Sequence, residues 1–182
     1  MKIRPMQEED ADRVLVIYAE GIEDGLATLE TRCSSCEEWD ATHHTECRLV
    51  ADEDGTIVGW AALNPVSERA CYRGVAEISV YGARGARGRG VGLALLDALV
   101  RESERAGFWT LQGATFEDNT ASMRLQERCG FRVVGTRERI ARLNDQWKTT
   151  VLTERRSEVV GLDHWDGEPE PRQTQHPRRP PA

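Results

Sequence analysis

Arg87-Gly-Arg-Gly-Val-Gly92 lies between an apolar, strand-like run at residues 75–81 and an amphipathic, helix-like run at residues 93–106. Its glycines let the backbone turn with N–H groups pointing inward, and no side chain stands in the way. The helix that follows adds the positive end of its dipole. Together these make a cradle for an anion held on backbone amides, and they imply a phosphorylated ligand. Spacing rules out two other cradles. A triphosphate loop needs Gly, four residues, then Gly-Lys-Ser/Thr, which is not found here. A dinucleotide fingerprint needs a third Gly or Ala three residues beyond the second, where Leu93 or Leu95 stands.

Downstream, Asn119-Thr-Ala-Ser122-Met-Arg-Leu125-Gln-Glu-Arg-Cys-Gly130-Phe131 follows a strand-like run at 110–116. Asn119 is a helix N-cap residue, and Ala121, Leu125 and Cys129 recur as one apolar stripe. Gly130 is placed to end the helix in the left-handed conformation, with Phe131 packing back on it. Outward from these two segments, strands and helices alternate. Residues 2–4 form a strand, and Ala11, Val14, Leu15, Tyr18 and Ile22 mark a helix. A second helix is expected over 34–44. A hairpin at 47–51 and 56–63 turns around Asp52-Glu-Asp-Gly55, and a strand at 74–81 follows. In the cofactor helix Leu95, Leu96, Leu99 and Val100 face inward while Asp97, Arg101, Glu102 and Glu104 face water, and Gly107 stops it. Two closing strands at 131–140 and 147–154 complete a mixed, mostly antiparallel α/β sheet of six to seven strands with about four helices. Residues 1–160 read as one domain. Five of the 7 prolines fall beyond residue 168, so 161–182 reads as a disordered tail.

Composition narrows the classes. A chain of 182 residues with 39% hydrophobic and 30% charged residues suits one soluble domain with a real core. No apolar run is long enough to span a membrane and the N-terminus does not read as a signal peptide, so a cytoplasmic protein is expected. A net charge of −7 argues against a nucleic-acid binder. The loop itself is locally basic through Arg84, Arg87 and Arg89. Five cysteines in such a context are expected as reduced thiols. Cys33-x-x-Cys36, His43, His44 and Cys47 resemble zinc ligands only loosely, and a helix whose Cys36, Trp39 and His43 share a face accounts for them without metal.

Strand alternation at 75–81 puts Ala76, Ile78 and Val80 on one face and Glu77, Ser79 and Tyr81 on the other. So polar a face on an interior strand suggests a cleft, and Glu77 is its carboxylate. If an amine attacks there, Glu77, directly or through a water, is placed to take the ammonium proton.

The Arg-x-x-Gly-x-Gly loop and the Asn-x-x-Ser…Gly-Phe helix resemble the acyl-coenzyme A binding segments of the GNAT N-acetyltransferases. Glu77-Ile-Ser-Val-Tyr81, Ala27-Thr-Leu-Glu-Thr31 with Trp39, and Gly107-Phe-Trp-Thr-Leu111 further resemble the phosphinothricin acetyltransferase group, with the likeness running over about residues 2–156. The resemblance implies acetyl-CoA as cosubstrate, held by Val80, Tyr81, Gly82, Arg87, Gly88, Arg89, Gly90, Val91, Gly92, Asn119 and Ser122. It gives Glu77 the role of base and a backbone N–H at 80–82 that of oxyanion donor. Thr28, Glu30, Arg69 and Tyr72 fall at substrate positions, Arg69 and Tyr72 suiting a carboxylate or phosphinate. The implied reaction is direct acetyl transfer, in a ternary complex, to a small amino acid or analogue of the phosphinothricin or methionine sulfoximine/sulfone type. A homodimer and a role in antibiotic or herbicide resistance are implied with it. Acceptors of another kind, a polyamine or a protein N-terminus, stay open, as does a non-catalytic acyl-CoA sensor. Three positions depart from the group. Leu29 replaces a larger aromatic residue, Thr149 stands in place of an Asp, and Gln126 stands where a Tyr or His would meet the leaving thiolate.

Overall fold

The computed structural model describes residues 1–162. The expected tail from 163 onward lies outside the described residues. Seven strands run in the order β1 (Lys2–Pro5), β2 (Leu49–Glu53), β3 (Thr56–Pro65), β4 (Val75–Gly82), β5 (Thr110–Phe116), β6 (Arg132–Leu143) and β7 (Gln146–Arg156). Four α-helices are interleaved with them: α1 (Ala11–Glu23), α2 (Cys36–Thr42), α3 (Val91–Arg105) and α4 (Thr120–Arg128). Spatially the strands form one sheet ordered β1-β2-β3-β4-β5-β7-β6. Every pairing is antiparallel except β4 with β5.

β3 is the core strand. Residues 57–63 are buried without a break because both faces are covered. Trp60 turns to the α1–α2 side, edge-on to Tyr18 and Trp39 at 5.9 and 5.4 Å between ring centroids. Gly59, of opposite parity, backs onto Val91 and Leu95 of α3. Leu95, Leu96 and Leu99 are wholly buried, which gives α3 the inward face that its apolar spacing demands. At the N-terminus Asp10 accepts from both Nη atoms of Arg4 at 2.7 and 2.8 Å and from the Gln7 N–H at 2.8 Å, pinning β1 to the start of α1.

The parallel pair is short. β4 pairs with β3 along all but its first residue, from Gly59↔Gly82 to Pro65↔Ala76, yet it pairs with β5 only from Val75↔Thr110 to Glu77↔Gln112. On its other edge β5 pairs with β7 throughout, from Thr110↔Arg156 to Phe116↔Thr150. Gly74 starts the pair: its carbonyl accepts from both Trp109 and Thr110 N–H groups at 2.8 and 3.1 Å. Beyond Glu77 the sheet opens.

Three expectations need correction. The α4 stripe is only half realised: Ala121 is exposed, Leu125 and Cys129 are half-buried, and the buried residue is Gln126. Ala121 and Leu125 border a cleft, with Leu125 and Cys129 packed against the edge of the core. Glu104 does not face water. Its carboxylate accepts from Arg155 at 2.9 Å and Ser157 at 3.0 Å, a long-range tie to the far end of β7 that no local period reports. The second helix is shorter than 34–44, because Ser35 caps it, accepting from the Glu38 N–H while the Glu38 carboxylate accepts from the Ser35 N–H.

At Gly74 an added Cβ would lie 2.1 Å from the Trp109 ring, whereas at Gly85 it would meet nothing within 4 Å. Gly74→Ala is expected to cost about 1–3 kcal/mol by overpacking. Gly85→Ala should stay within about 0.5 kcal/mol of wild type. Chemical denaturation of the two variants checks the contrast, and equal midpoints would contradict it.

Candidate active site

The opening between β4 and β5 continues into a cleft of about 1090 Å³. Gly74 turns its carbonyl toward β5 and Ala83 donates its N–H to Val58 of β3 at 2.9 Å, which fixes the direction of every backbone group between them. The even-numbered residues of β4 therefore face β5, and beyond the last pair Val80 and Gly82 present their N–H groups to the gap. Both fall in the 80–82 stretch, on a strand edge released by its neighbour.

One end of the cleft is built from glycines and a helix start. Gly88 and Gly90 hold φ of +73° and +85°, a region that disfavours residues with a Cβ, and Gly90 is the N-cap residue of α3, its carbonyl accepting from Ala94 at 3.1 Å. The first N–H groups of α3, on Val91, Gly92 and Leu93, have no intrahelical partner by the geometry of any helix. Gly88, Gly90, Val91 and Gly92 line the cleft, and so does Arg87, which pairs with Asp24. The loop's other two arginines turn outward: Arg84 binds Asp24 and Glu23 at 2.8 and 3.2 Å, and Arg89 binds Glu53 of β2 at 2.7 and 2.8 Å. Burial pushes the Asp24 carboxyl up, but the guanidinium groups of Arg84 and Arg87 outweigh it and hold the pKa below the ordinary value. Arg124 and Arg128 of α4, which local pattern did not single out, also line the cleft.

The other end lies on the α1–α2 face of the sheet. There Glu77 stands opposite Asn64 on β3 and beside Gln112 on β5, whose amide donates to its carboxylate at 3.4 Å. Ser79 donates to Asn64 Oδ1 at 2.8 Å, and Asn64 donates to the Thr42 carbonyl at the end of α2 at 2.9 Å. Tyr81 stacks on Trp60 at 4.7 Å and meets Tyr18 edge-on at 5.1 Å. Burial raises the pKa of both tyrosines, which keeps them as phenols, and both hydroxyls reach Thr28. Thr28, Glu30 and Arg32 border the cleft; Arg32 is forked onto Glu38 at 2.8 and 2.9 Å. His43 stacks on Trp39 at 4.1 Å and donates through Nδ1 to the Trp39 carbonyl, while burial pushes its pKa down.

Arg69 and Tyr72, expected at the substrate, are not among the described residues that line this cleft. Both sit exposed at a short 3₁₀ turn, Tyr72 N–H donating to the Arg69 carbonyl at 2.9 Å. Asn119 caps α4 as expected, accepting from the Ser122 N–H at 3.1 Å, and its amide also donates to the Leu26 carbonyl at 2.9 Å, tying the α1–α2 loop across to α4. The Cys33–Cys47 cluster does not gather. Cys33 donates to the Leu15 carbonyl at 3.4 Å, His44 packs edge-on to Phe108 at 5.0 Å, and among the described residues no three His, Cys, Asp or Glu side chains form a metal-holding group.

Between the two ends lies a polar cluster with no local sequence signal beyond Gln126. The buried Gln126 amide donates to Thr115 Oγ1 at 2.7 Å and Ser122 Oγ at 3.1 Å, and its oxygen accepts from Thr153. These four residues come from β5, α4 and β7, so only the fold brings them together.

Residues 14–131 match the model of the acetyltransferase (GNAT) family. A phosphinothricin N-acetyltransferase of Alcaligenes faecalis is 32% identical over 165 residues, 84% of this chain and 81% of its own length. An L-methionine sulfoximine/L-methionine sulfone acetyltransferase of Pseudomonas aeruginosa is 29% identical over 99 residues, 54% of this chain and 58% of its own. Among solved structures, a GNAT superfamily phosphinothricin acetyltransferase from Sinorhizobium meliloti, in complex with acetyl-CoA, superposes with a TM-score of 0.78 at 27% identity. It covers 89% of this chain and 96% of its own.

Gly90→Asp adds a Cβ at φ +85° and a negative charge at the helix start. Affinity for coenzyme A, read by calorimetry, should fall roughly tenfold or more, on the scale of 1–2 kcal/mol for left-handed strain plus charge repulsion. Unchanged affinity would remove the glycine loop from the site.

Proposed function

This chain belongs to the acetyltransferase (GNAT) family, and on that premise we propose that it acetylates the amine of a small amino acid or analogue of the phosphinothricin or methionine sulfoximine type. It is an acetyltransferase that draws acetyl from acetyl-CoA. The observation that carries the acceptor reading is Glu77, a carboxylate on a strand edge that leads from the helix-start cradle into an open cleft walled by aromatic rings.

The amides of Gly88, Gly90, Val91 and Gly92, with Arg87, Arg124 and Arg128 also lining the cleft, suit the diphosphate of the cosubstrate. Its extended arm then fits the gap, where β4 offers backbone groups in place of β5. Val80 or Gly82 N–H is positioned for the thioester oxygen as it gains charge. On the α1–α2 face an ammonium group meets Glu77, which takes its proton, with Glu30 as the second carboxylate nearby. Thr28 and Arg32 are the polar groups available to the acceptor's acid end. None of the five cysteines lines the cleft, which supports direct transfer over an acyl-cysteine intermediate.

A cytoplasmic setting and a role in resistance to such amino-acid analogues belong to the same proposal. No helix among the described residues is long and apolar enough to cross a membrane. A homodimer also fits: Val133, Val134, Ile140 and Trp147 are each more than half exposed on the edge hairpin β6–β7, an apolar surface suited to a second copy.

Thiol release from acetyl-CoA is to be measured against phosphinothricin, methionine sulfone and spermidine. The zwitterionic analogues should turn over fastest, and a clear preference for spermidine would overturn the acceptor class. Glu77→Gln is nearly isosteric and should leave coenzyme A affinity intact while lowering turnover by roughly 10²-fold. Turnover surviving within about twofold would mean that Glu77 is not the base.

A further inference from the structure

The Gln126 cluster has a direction. The Gln126 oxygen is engaged by the Thr153 hydroxyl, so its amide nitrogen is turned toward β5 and α4, where it donates to Thr115 and Ser122. Both of its N–H groups are thereby engaged and the side chain is buried, leaving Gln126 no proton to offer the cleft. The Thr115 hydroxyl is buried too and lies 3.4 Å from Ser122 Oγ. Both oxygens accept from Gln126 and either hydroxyl can donate across the contact between them; when Thr115 donates, the chain ends at Ser122. Ser122 Oγ then accepts from two neighbours and keeps one proton, and Ser122 is half-buried on the cleft wall. A chain of hydrogen bonds polarised one way strengthens its last donor.

We propose that Ser122 is the hydrogen-bond donor to the departing thiolate, and that Gln126 is the residue that positions it. This rests on the acetyl-transfer reading above. Glu77 takes the ammonium proton, the freed amine nitrogen then bonds to the acetyl carbon, and the second nitrogen proton passes to water as the amide forms. The carbon–sulfur bond then breaks with its electron pair going to sulfur, and the thiolate accepts a hydrogen bond from Ser122 before taking a proton from water. No strong acid is needed, since a thiol with a pKa near 8.5 leaves readily once its charge is met by a donor. The position that carries a Tyr or His in the resembling enzymes is therefore not empty of function here. Its task passes one helical turn back, from residue 126 to residue 122.

The test uses the full chain, thiol release, and whichever amine the wild type turns over, so an error in the acceptor class leaves it intact. Ser122→Ala keeps the helix cap, because Asn119 accepts from the backbone N–H of residue 122. With acetyl-CoA the variant should lose roughly tenfold or more in kcat, the scale of one hydrogen bond to a charged group, a larger loss than any change in calorimetric affinity for coenzyme A. The thioesters of N-acetylcysteamine and thiophenol supply the deciding readout. The Ser122→Ala deficit should persist on the first and nearly vanish on the second, whose acidic thiol needs no donor. Gln126→Leu should show the same dependence on the leaving group. Loss of affinity without loss of kcat, an equal deficit on both thioesters, or kcat within twofold of wild type would each overturn the assignment. Absence of turnover with every amine would overturn the acetyl-transfer reading itself, and this assignment with it.

Discussion

The parting of β4 from β5 after the Glu77–Gln112 pair is the constraint on which the rest of the structure depends. A strand in the middle of a sheet normally has both edges paired, and unpaired backbone groups in an interior are costly. Here β3 holds one edge of β4 through residue 82 while β5, paired with β7 along its other edge throughout, parts from β4 after Gln112. The released edge supplies donors in a straight row and needs no side chain for them. Gly74 and Trp109 set where the parallel pair begins, and so fix where it ends and which carboxylate stands at the fork.

The same opening separates two electrostatic environments. Toward α3 and α4 the walls carry helix-start amides and Arg87, Arg124 and Arg128, although the whole chain has a net charge of −7. Toward α1 and α2 they carry Glu30, Glu38 and Glu77 against Arg32, with rings of Tyr18, Trp60 and Tyr81 between. A polyanion and an ammonium group would be drawn to opposite ends and meet in the middle. The loop tied by Leu26 and Asn119 spans these ends, which makes a helix cap also a brace for the acceptor wall.

Much of this was legible from local pattern. Gly88, Gly90 and Gly130 were placed by backbone need, and all three hold positive φ. Residues 110–116 read as a strand and are β5. Glu77 stood out because period two left a carboxylate on an interior strand. What escaped is what depends on distant partners. Arg89 looked like a phosphate ligand, but Glu53, 36 positions away, takes it. Glu104 looked solvated until β7 brought Arg155 to it. Arg69 and Tyr72 were placed by motif, and motif does not say which way a turn faces. Thr115 and Thr153 read as ordinary strand residues, since a hydroxyl's partner across a sheet leaves no trace in its own segment.

The central claim is that the released edge of β4 and the glycine loop together seat the cosubstrate. Amide hydrogen exchange followed by mass spectrometry, with and without saturating coenzyme A, tests it most directly because it reads the backbone donors themselves. Peptides covering 78–92 should slow markedly, those covering 113–126 should slow as α4 closes the other wall, and the β6–β7 hairpin should be unchanged. Binding proved by calorimetry with no change over 78–92 would contradict the account.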